Sequence, residues 1–377
     1  MSSIVIVGSG LAGWTAVREL RKLDRAVRVT LVTADSGDFY SKPMLSNALA
    51  QGKTPDQLVG TSADAMAAQQ GVALLRQTRV SGIDRARRLL LTDRGEVPYS
   101  QLVLALGADP IRLPLGGDAA DAVLSVNDLS GYARFRAELD GARHVAILGA
   151  GLIGCEFAND LAAAGHAVTV LDPAAWPLAS LLPEAAGRAL IAPLEKLGVD
   201  WRLGNAVAKV DRAANGYRLT LGSGETLDAD LVLSAVGLRP RIALAQAAGL
   251  AVNRGIVTDA LLRTSDADVF ALGDCAEIEG QTRPYVLPIM HASRALAQTL
   301  AGTPTAVAFP PMPVVIKTPA CPVAVQPVAR DTKGSWDITA DDGGVRGLFY
   351  DADARLLGFA LTQGYTDERA ALTKLLA

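Results

Sequence analysis

Two glycine runs are the first residues with a chemistry: GSGLAG over 8–13 and GAGLIG over 149–154. In each, the glycines fall at the first, third and sixth places: Gly8, Gly10 and Gly13, then Gly149, Gly151 and Gly154. The first of three such glycines permits a tight turn. The second lets a pyrophosphate approach the backbone, and the third lets a helix lie close to a strand. The helix that follows offers unpaired N–H groups and partial positive charge to the phosphates. Asp35 stands 22 residues beyond Gly13 and Asp172 stands 18 beyond Gly154, where an acid can bind a ribose hydroxyl. One such run is weak evidence, since a glycine turn can bind nothing. Two copies with matching flanks argue for two dinucleotide sites. Two dinucleotides on one chain suggest that one gives electrons to the other. No Arg or Lys follows Asp172 closely, so a 2′-phosphate would be repelled and NADH is favoured over NADPH. The other dinucleotide is read as FAD, held as a prosthetic group.

The flanking patterns supply the elements that must position these turns. Ser3–Val7 and Arg28–Val32 are apolar, largely β-branched runs suited to buried parallel strands. Between them Ala12, Ala16, Leu20 and Leu23 recur at helical spacing. The second copy has a strand at Val145–Leu148, a helix to about Ala164 and a strand at Ala167–Leu171 ended by Asp172. The repetition extends further. YSQLVLALGADP at 99–110 matches DADLVLSAVGLRP at 228–240, each a buried strand with a glycine where the chain leaves the sheet. A later helix is expected to begin near Pro288–Ile289. Prolines 304, 310, 311, 313, 319, 322 and 327 then crowd a region that helices do not tolerate. GLFYDADARLLGFAL reads as two strands around a polar turn.

Composition narrows the function classes. The 377 residues suffice for two or three domains, and 50% of them are apolar, enough for a large core. A net charge of −3 and a pI near 5.7 argue against a nucleic-acid partner. The run VAILGAGLIGCEFANDLAAAGHAVTVL contains Glu156, Asn159 and Asp160, which argues against a membrane span. The residues before the first strand carry no basic leader, so no signal peptide is expected. Cys155, Cys275 and Cys321 lie far apart and form no disulfide framework; a reducing cytoplasm is the expected home. His144, His166 and His291 share no metal-ligand spacing, so no metal is expected.

GSGLAG, GAGLIGCE and RTSDADVFALGDCAE, in this order, resemble the FAD- and NAD-binding pyridine nucleotide-disulfide oxidoreductases. Within that family YSKPMLS at 40–46, SAVGLRPR at 234–241 and VIKTPACP at 315–322 resemble the rubredoxin–NAD(+) reductase branch. The resemblance implies an α/β fold of glutathione-reductase type, with two Rossmann-like domains and a small C-terminal mostly-β (α+β) domain. An FAD domain would be split between 1–110 and 241–306, an NAD domain would occupy 111–240, and the small domain 307–377. The resemblance implies FAD contacts at Gly8, Gly10, Leu11, Ala12, Gly13, Thr33, Ala34, Asp35, Ser41, Lys42, Pro43, Val80, Ala105, Gly107, Gly273, Asp274 and Lys317. It implies NAD contacts at Gly149, Gly151, Leu152, Ile153, Gly154, Glu156, Asp172 and Gly237.

Among these, Asp274 would bind a ribityl hydroxyl of the flavin, the alternative being a helix N-cap. The late helix would aim its N-terminus at the flavin edge that gains negative charge on reduction. Lys42 would sit beside flavin N5 and pair with Glu156 on the NAD helix; the alternative is two solvated charges. These two are the expected catalytic residues. Lys317 is a second candidate cation, or an ordinary surface lysine.

The cysteines set the subclass. Disulfide reductases of this fold need a Cys pair near the flavin, and peroxidase-like relatives carry a single Cys near position 42. This chain has Lys42 there and no Cys before Cys155. Electrons must then leave directly from the flavin, and rubredoxin is the expected acceptor. It is a small acidic partner, for which a basic patch would help docking. Arg18, Arg21, Lys22 and Arg25 recur at helical spacing, as a docking stripe or as a solvated helix face. Two readings stay open: a reductase of another carrier, such as a ferredoxin or flavorubredoxin, and a redox-sensing flavoprotein that binds partners according to flavin state. A monomer is expected, because the C-terminal domain is short and lacks an extended apolar face.

Overall fold

The structure, a computed structural model, describes residues 3–329 and 331–376. The two residues before the first strand, which bore on the leader expectation, lie outside them. The chain forms two compact units. One comprises Met1–Ser41, Gln57–Asp109 and Leu238–Phe309; the other comprises Lys42–Asp56, Pro110–Gly237 and Pro310–Ala377.

The first unit is built on a five-stranded parallel sheet in the order Val269–Ala271, Gln101–Leu104, Ser3–Val7, Arg28–Val32, Ala73–Leu75. Ile4, Val5 and Ile6 of the central strand are buried, as a strand covered on both faces requires. The helix Leu11–Leu23 follows the first strand and packs on the late helix Val286–Leu300. That helix starts two residues earlier than expected, with Tyr285 as N-cap. Pro288 is tolerated in its first turn because the N–H groups there have no intrahelical partner.

The second unit holds a four-stranded parallel sheet in the order Val199–Leu203, Ala167–Asp172, His144–Leu148, Leu231–Ser234. Its glycine helix, Leu152–Ala163, is buried nearly all round. Hence its largely apolar sequence, interrupted by Glu156, Asn159 and Asp160. The same unit carries a five-stranded antiparallel sheet in the order Val314–Ile316, Val323–Gln326, Leu356–Thr362, Gly344–Tyr350, Ser335–Asp341. Its last two strand pairs include the hairpin expected from GLFYDADARLLGFAL.

The internal repeat is deeper than the sequence suggested. Each unit also inserts a three-stranded antiparallel meander before its closing strand. These are Val80–Asp84, Leu89–Thr92 and Gly95–Pro98 in the first, and Val207–Arg212, Tyr217–Leu221 and Thr226–Ala229 in the second. Their strands are short and partly exposed, so no clear hydrophobic period marks them. No helix among the described residues is long and apolar enough to cross a membrane.

Candidate active site: two glycine turns and a buried carboxylate cluster

In the first unit Gly8 has φ +110°, and a Cβ there would stand 2.2 Å from the Ala105 carbonyl oxygen. A Cβ on Gly13 would stand 1.9 Å from the Gly8 carbonyl oxygen. Both positions therefore exclude any side chain, because helix, strand and turn touch backbone to backbone. Gly10 differs: a Cβ there would meet nothing within 4 Å. The second unit repeats the pattern: a Cβ on Gly154 would stand 1.9 Å from the Gly149 oxygen, one on Gly149 would stand 2.8 Å from the Ala235 oxygen, and one on Gly151 would meet open space. Gly10 and Gly151 are also the N-caps of their helices. Neither helix has a side-chain cap or an acidic residue in its first turn. Each turn thus presents bare N–H groups to open space, which fits a pyrophosphate.

The other residues expected around the first turn gather there. The Ser9 hydroxyl donates to Thr33 Oγ1 at 2.9 Å, and Asp35 N donates to the same oxygen at 3.2 Å. Ala34 and Asp35 are exposed at the strand end. Gly273, with φ +79°, leaves room only for Ala12: its Cβ would stand 2.8 Å from that methyl. Gly273 also lines a small cavity with Arg283, Pro288, Ile289 and Ala292 of the late helix and its approach. The positive end of that helix carries no acidic residue in its first turn. Asp274 lies in a 3-10 turn just after Val269–Ala271.

In the second unit Asp172 accepts from Ala150 N at 2.6 Å and from Ala174 N at 2.7 Å. It braces the glycine turn from below while standing at the strand end. Gly237 has φ +110° beyond the closing strand.

The cluster at Glu156 could not be read from the sequence. Its carboxylate is buried, 1% exposed, and its Oε2 stands 2.6 Å from Lys317 Nζ. Oε1 accepts from the Lys317 backbone N–H at 2.9 Å, and the Ser46 hydroxyl donates to Oε2. The Lys317 ammonium also donates to Ser46 Oγ at 3.0 Å and to the Pro43 carbonyl. So Lys317, read from sequence as the weaker candidate, is the cation described on Glu156. Lys42 opens the 3-10 turn Lys42–Met44 beside Pro43. Lys42, Pro43 and Lys317 belong to the second unit, whereas Ser41 and Val80 belong to the first.

One helical turn further along, Asp160 accepts from Leu49 N at 3.0 Å and Ala50 N at 2.9 Å. Asn159 accepts from Ala320 N at 3.1 Å. Ser46, Asn159 and Asp160 are residues that the sequence reading missed as site components. The available signal was three polar side chains at i, i+3 and i+4 in an otherwise apolar helix.

The docking stripe does not survive. Arg21 is 8% exposed and donates to the carbonyls of Gln70, Gly71, Asp24 and Val27. Arg25 lies beyond the helix, which ends at Leu23. Helical spacing alone could not tell a buried guanidinium with four carbonyl partners from a solvated one.

All three cysteines are free and buried. Burial pushes the Cys275 and Cys321 thiols up to about 11, and the Cys155 thiol higher still. None is an available thiolate, so the described residues offer no thiol relay.

A family model for pyridine nucleotide-disulphide oxidoreductases matches residues 2–299. The chain belongs to that family. The model for a rubredoxin binding C-terminal domain matches residues 306–376 of the same family member. Over its full length the chain is similar to a rubredoxin-NAD(+) reductase of Alcanivorax borkumensis, 49% identical across 99% of this chain and 98% of that one. It is also similar to a nitric oxide reductase FlRd-NAD(+) reductase of Aeromonas hydrophila, 43% identical across 95% of this chain and 92% of that one. Among solved structures, a ferredoxin reductase of Rhodopseudomonas palustris matches with a TM-score of 0.90 and 26% identity. That match covers 98% of this chain and 93% of the other. The oxidoreductase fold of this family, two dinucleotide-binding domains with a small β domain, is the architecture described above.

Proposed function

We propose that this chain is an NADH-dependent flavoprotein reductase that passes electrons to rubredoxin. The observation that carries the reading is a rubredoxin-binding module over 306–376 joined to a core with two bare glycine turns. FAD, when bound, supplies the conversion of one two-electron hydride into two single electrons for one-electron carriers. The turn at Gly8–Gly13 holds its pyrophosphate, and the N-terminus of Val286–Leu300 favours the charge it gains on reduction. The turn at Gly149–Gly154 holds NADH, with Asp172 at the ribose. Lys42 and Glu156 act at the hydride-receiving face, and Lys317 holds Glu156 in place. Buried cysteines are consistent with electrons leaving without a thiol relay, and with a cytoplasmic location for three free thiols.

The test is rapid mixing of the flavoprotein with NADH, then with oxidised rubredoxin, while following flavin absorbance. The expected outcome is bleaching by NADH and recovery with two rubredoxins reduced per NADH, since each iron takes one electron. Recovery no faster with rubredoxin than with an equal amount of ferredoxin would overturn the acceptor assignment. The Aeromonas relative favours one second reading, in which the acceptor is the rubredoxin-like centre of a flavorubredoxin. The same assay with that carrier separates the two.

A further inference from the structure

The segment 42–56 interrupts the first unit in sequence but packs with the second. It is tied there by polar groups along its whole length. At its start the Pro43 carbonyl and the Ser46 hydroxyl meet the Lys317 ammonium, and Ser46 donates to Glu156. In its middle, Asp160 accepts from the adjacent N–H groups of Leu49 and Ala50. Near its end, Arg136 of the helix Leu129–Leu139 donates to the Lys53 carbonyl at 2.8 Å. Apolar burial of Leu45 and Ala48 already attaches the segment. Burying carboxylates as well is a costly way to hold a loop. What it adds is direction: one carboxylate accepting from two successive peptide N–H groups sets both the place and the tilt of the backbone.

The same helix that carries Asp160 begins at the Gly151 turn, and the same segment begins at Lys42. We propose that Asp160 is a positioning residue for hydride entry. Its carboxylate fixes the Leu49–Ala50 peptide and, through the strap, the Lys42–Ser46 end against Glu156. This rests on the reductase reading above. Misplacement of reacting groups by about 1 Å costs on the order of 100-fold in rate, so a loosened strap has a kinetic signature.

The test uses the flavin-loaded full chain and Asp160→Asn, which keeps the volume but turns an accepting oxygen into an N–H donor facing an N–H. Two quantities are read: amide hydrogen exchange at Leu49 and Ala50, and the limiting rate of flavin bleaching by NADH with its half-saturating concentration. The expected result is faster exchange at both amides and bleaching slowed about 10- to 100-fold. The half-saturating NADH concentration stays within about twofold, since no NADH contact is removed. If that variant fails to fold, Arg136→Gln loosens the far end instead. It should speed exchange over residues 49–54 and slow bleaching in the same sense. Fast exchange with an unchanged bleaching rate, or unchanged exchange, overturns the inference alone. An unsubstituted flavoprotein that NADH does not bleach overturns the reductase reading and the inference with it.

Discussion

At the scale of single residues the decisive contact is Lys317 on Glu156. A carboxylate 1% exposed with one cation at 2.6 Å is a pair in which removing one partner strands the other. Lys317→Met should destabilise the chain by about 3 kcal/mol in urea unfolding. Adding Glu156→Gln to that variant should recover most of the loss; a double variant as unstable as the single one would contradict the pairing. Asp160 gives a second residue-scale prediction, for pH. Burial raises its carboxyl above the ordinary 3.8, against the Leu49 and Ala50 N–H groups and the Arg136 and Lys317 charges that pull it down. Tyr132 shares its surroundings. The folded chain therefore keeps this proton over a pH interval where the unfolded chain has lost it. Stability from this group is greatest in acid and falls as pH rises through that interval. Asp160→Asn removes that slope. The stability of the variant minus that of the parent should rise as pH increases above the ordinary carboxylate value of 3.8 in urea titrations.

At the scale of elements, the first helix shows how a charge pattern misleads. Arg18 lies over the Phe39 ring at 5.9 Å, and Lys22 pairs with Glu19 at 2.7 Å on the surface. Arg21, in the same spacing, closes the end of its own helix and the end of Ala63–Gln70 through four carbonyls. Arg21→Met leaves those carbonyls underserved and should lower stability by about 2–3 kcal/mol. Arg18→Gln should stay within about 0.5 kcal/mol. Thermal melts of the two variants check this, and equal losses would mean that Arg21 is no anchor. The glycine helix Leu152–Ala163 carries the complementary lesson. Its Glu156, Asn159 and Asp160 argued against a membrane span in the sequence, and in the fold they face segments 43–50 and 317–320.

At the scale of the molecule, each of the two units carries one strand–glycine turn–helix motif. Gly10 and Gly151 face open space, so alanine fits at either without disturbing the fold. Gly10→Ala should yield a folded protein that takes up FAD poorly and is pale. Gly151→Ala should stay yellow and require more NADH for bleaching. Absorbance of the purified variants and an NADH titration tell the two apart, and a pale Gly151→Ala would reverse the assignment of the turns. Much of this was legible beforehand. Ser3–Val7, Arg28–Val32 and the turns at Gly8 and Gly149 are local: a short apolar run, a positive φ and a helix start depend on neighbouring residues. The meanders were not legible because short half-exposed strands carry little periodic signal. Nor was the fate of three charges. The sequence by itself determined that two glycine turns exist and which strands and helices frame them. Only the tertiary structure decided that Lys317 meets Glu156, that Arg21 is buried and that Asp160 holds residues 49 and 50. Glu156 and Lys317 are 161 positions apart. No local propensity encodes such a contact; it exists only once packing has taken both groups out of water and left each as the other's replacement for solvent.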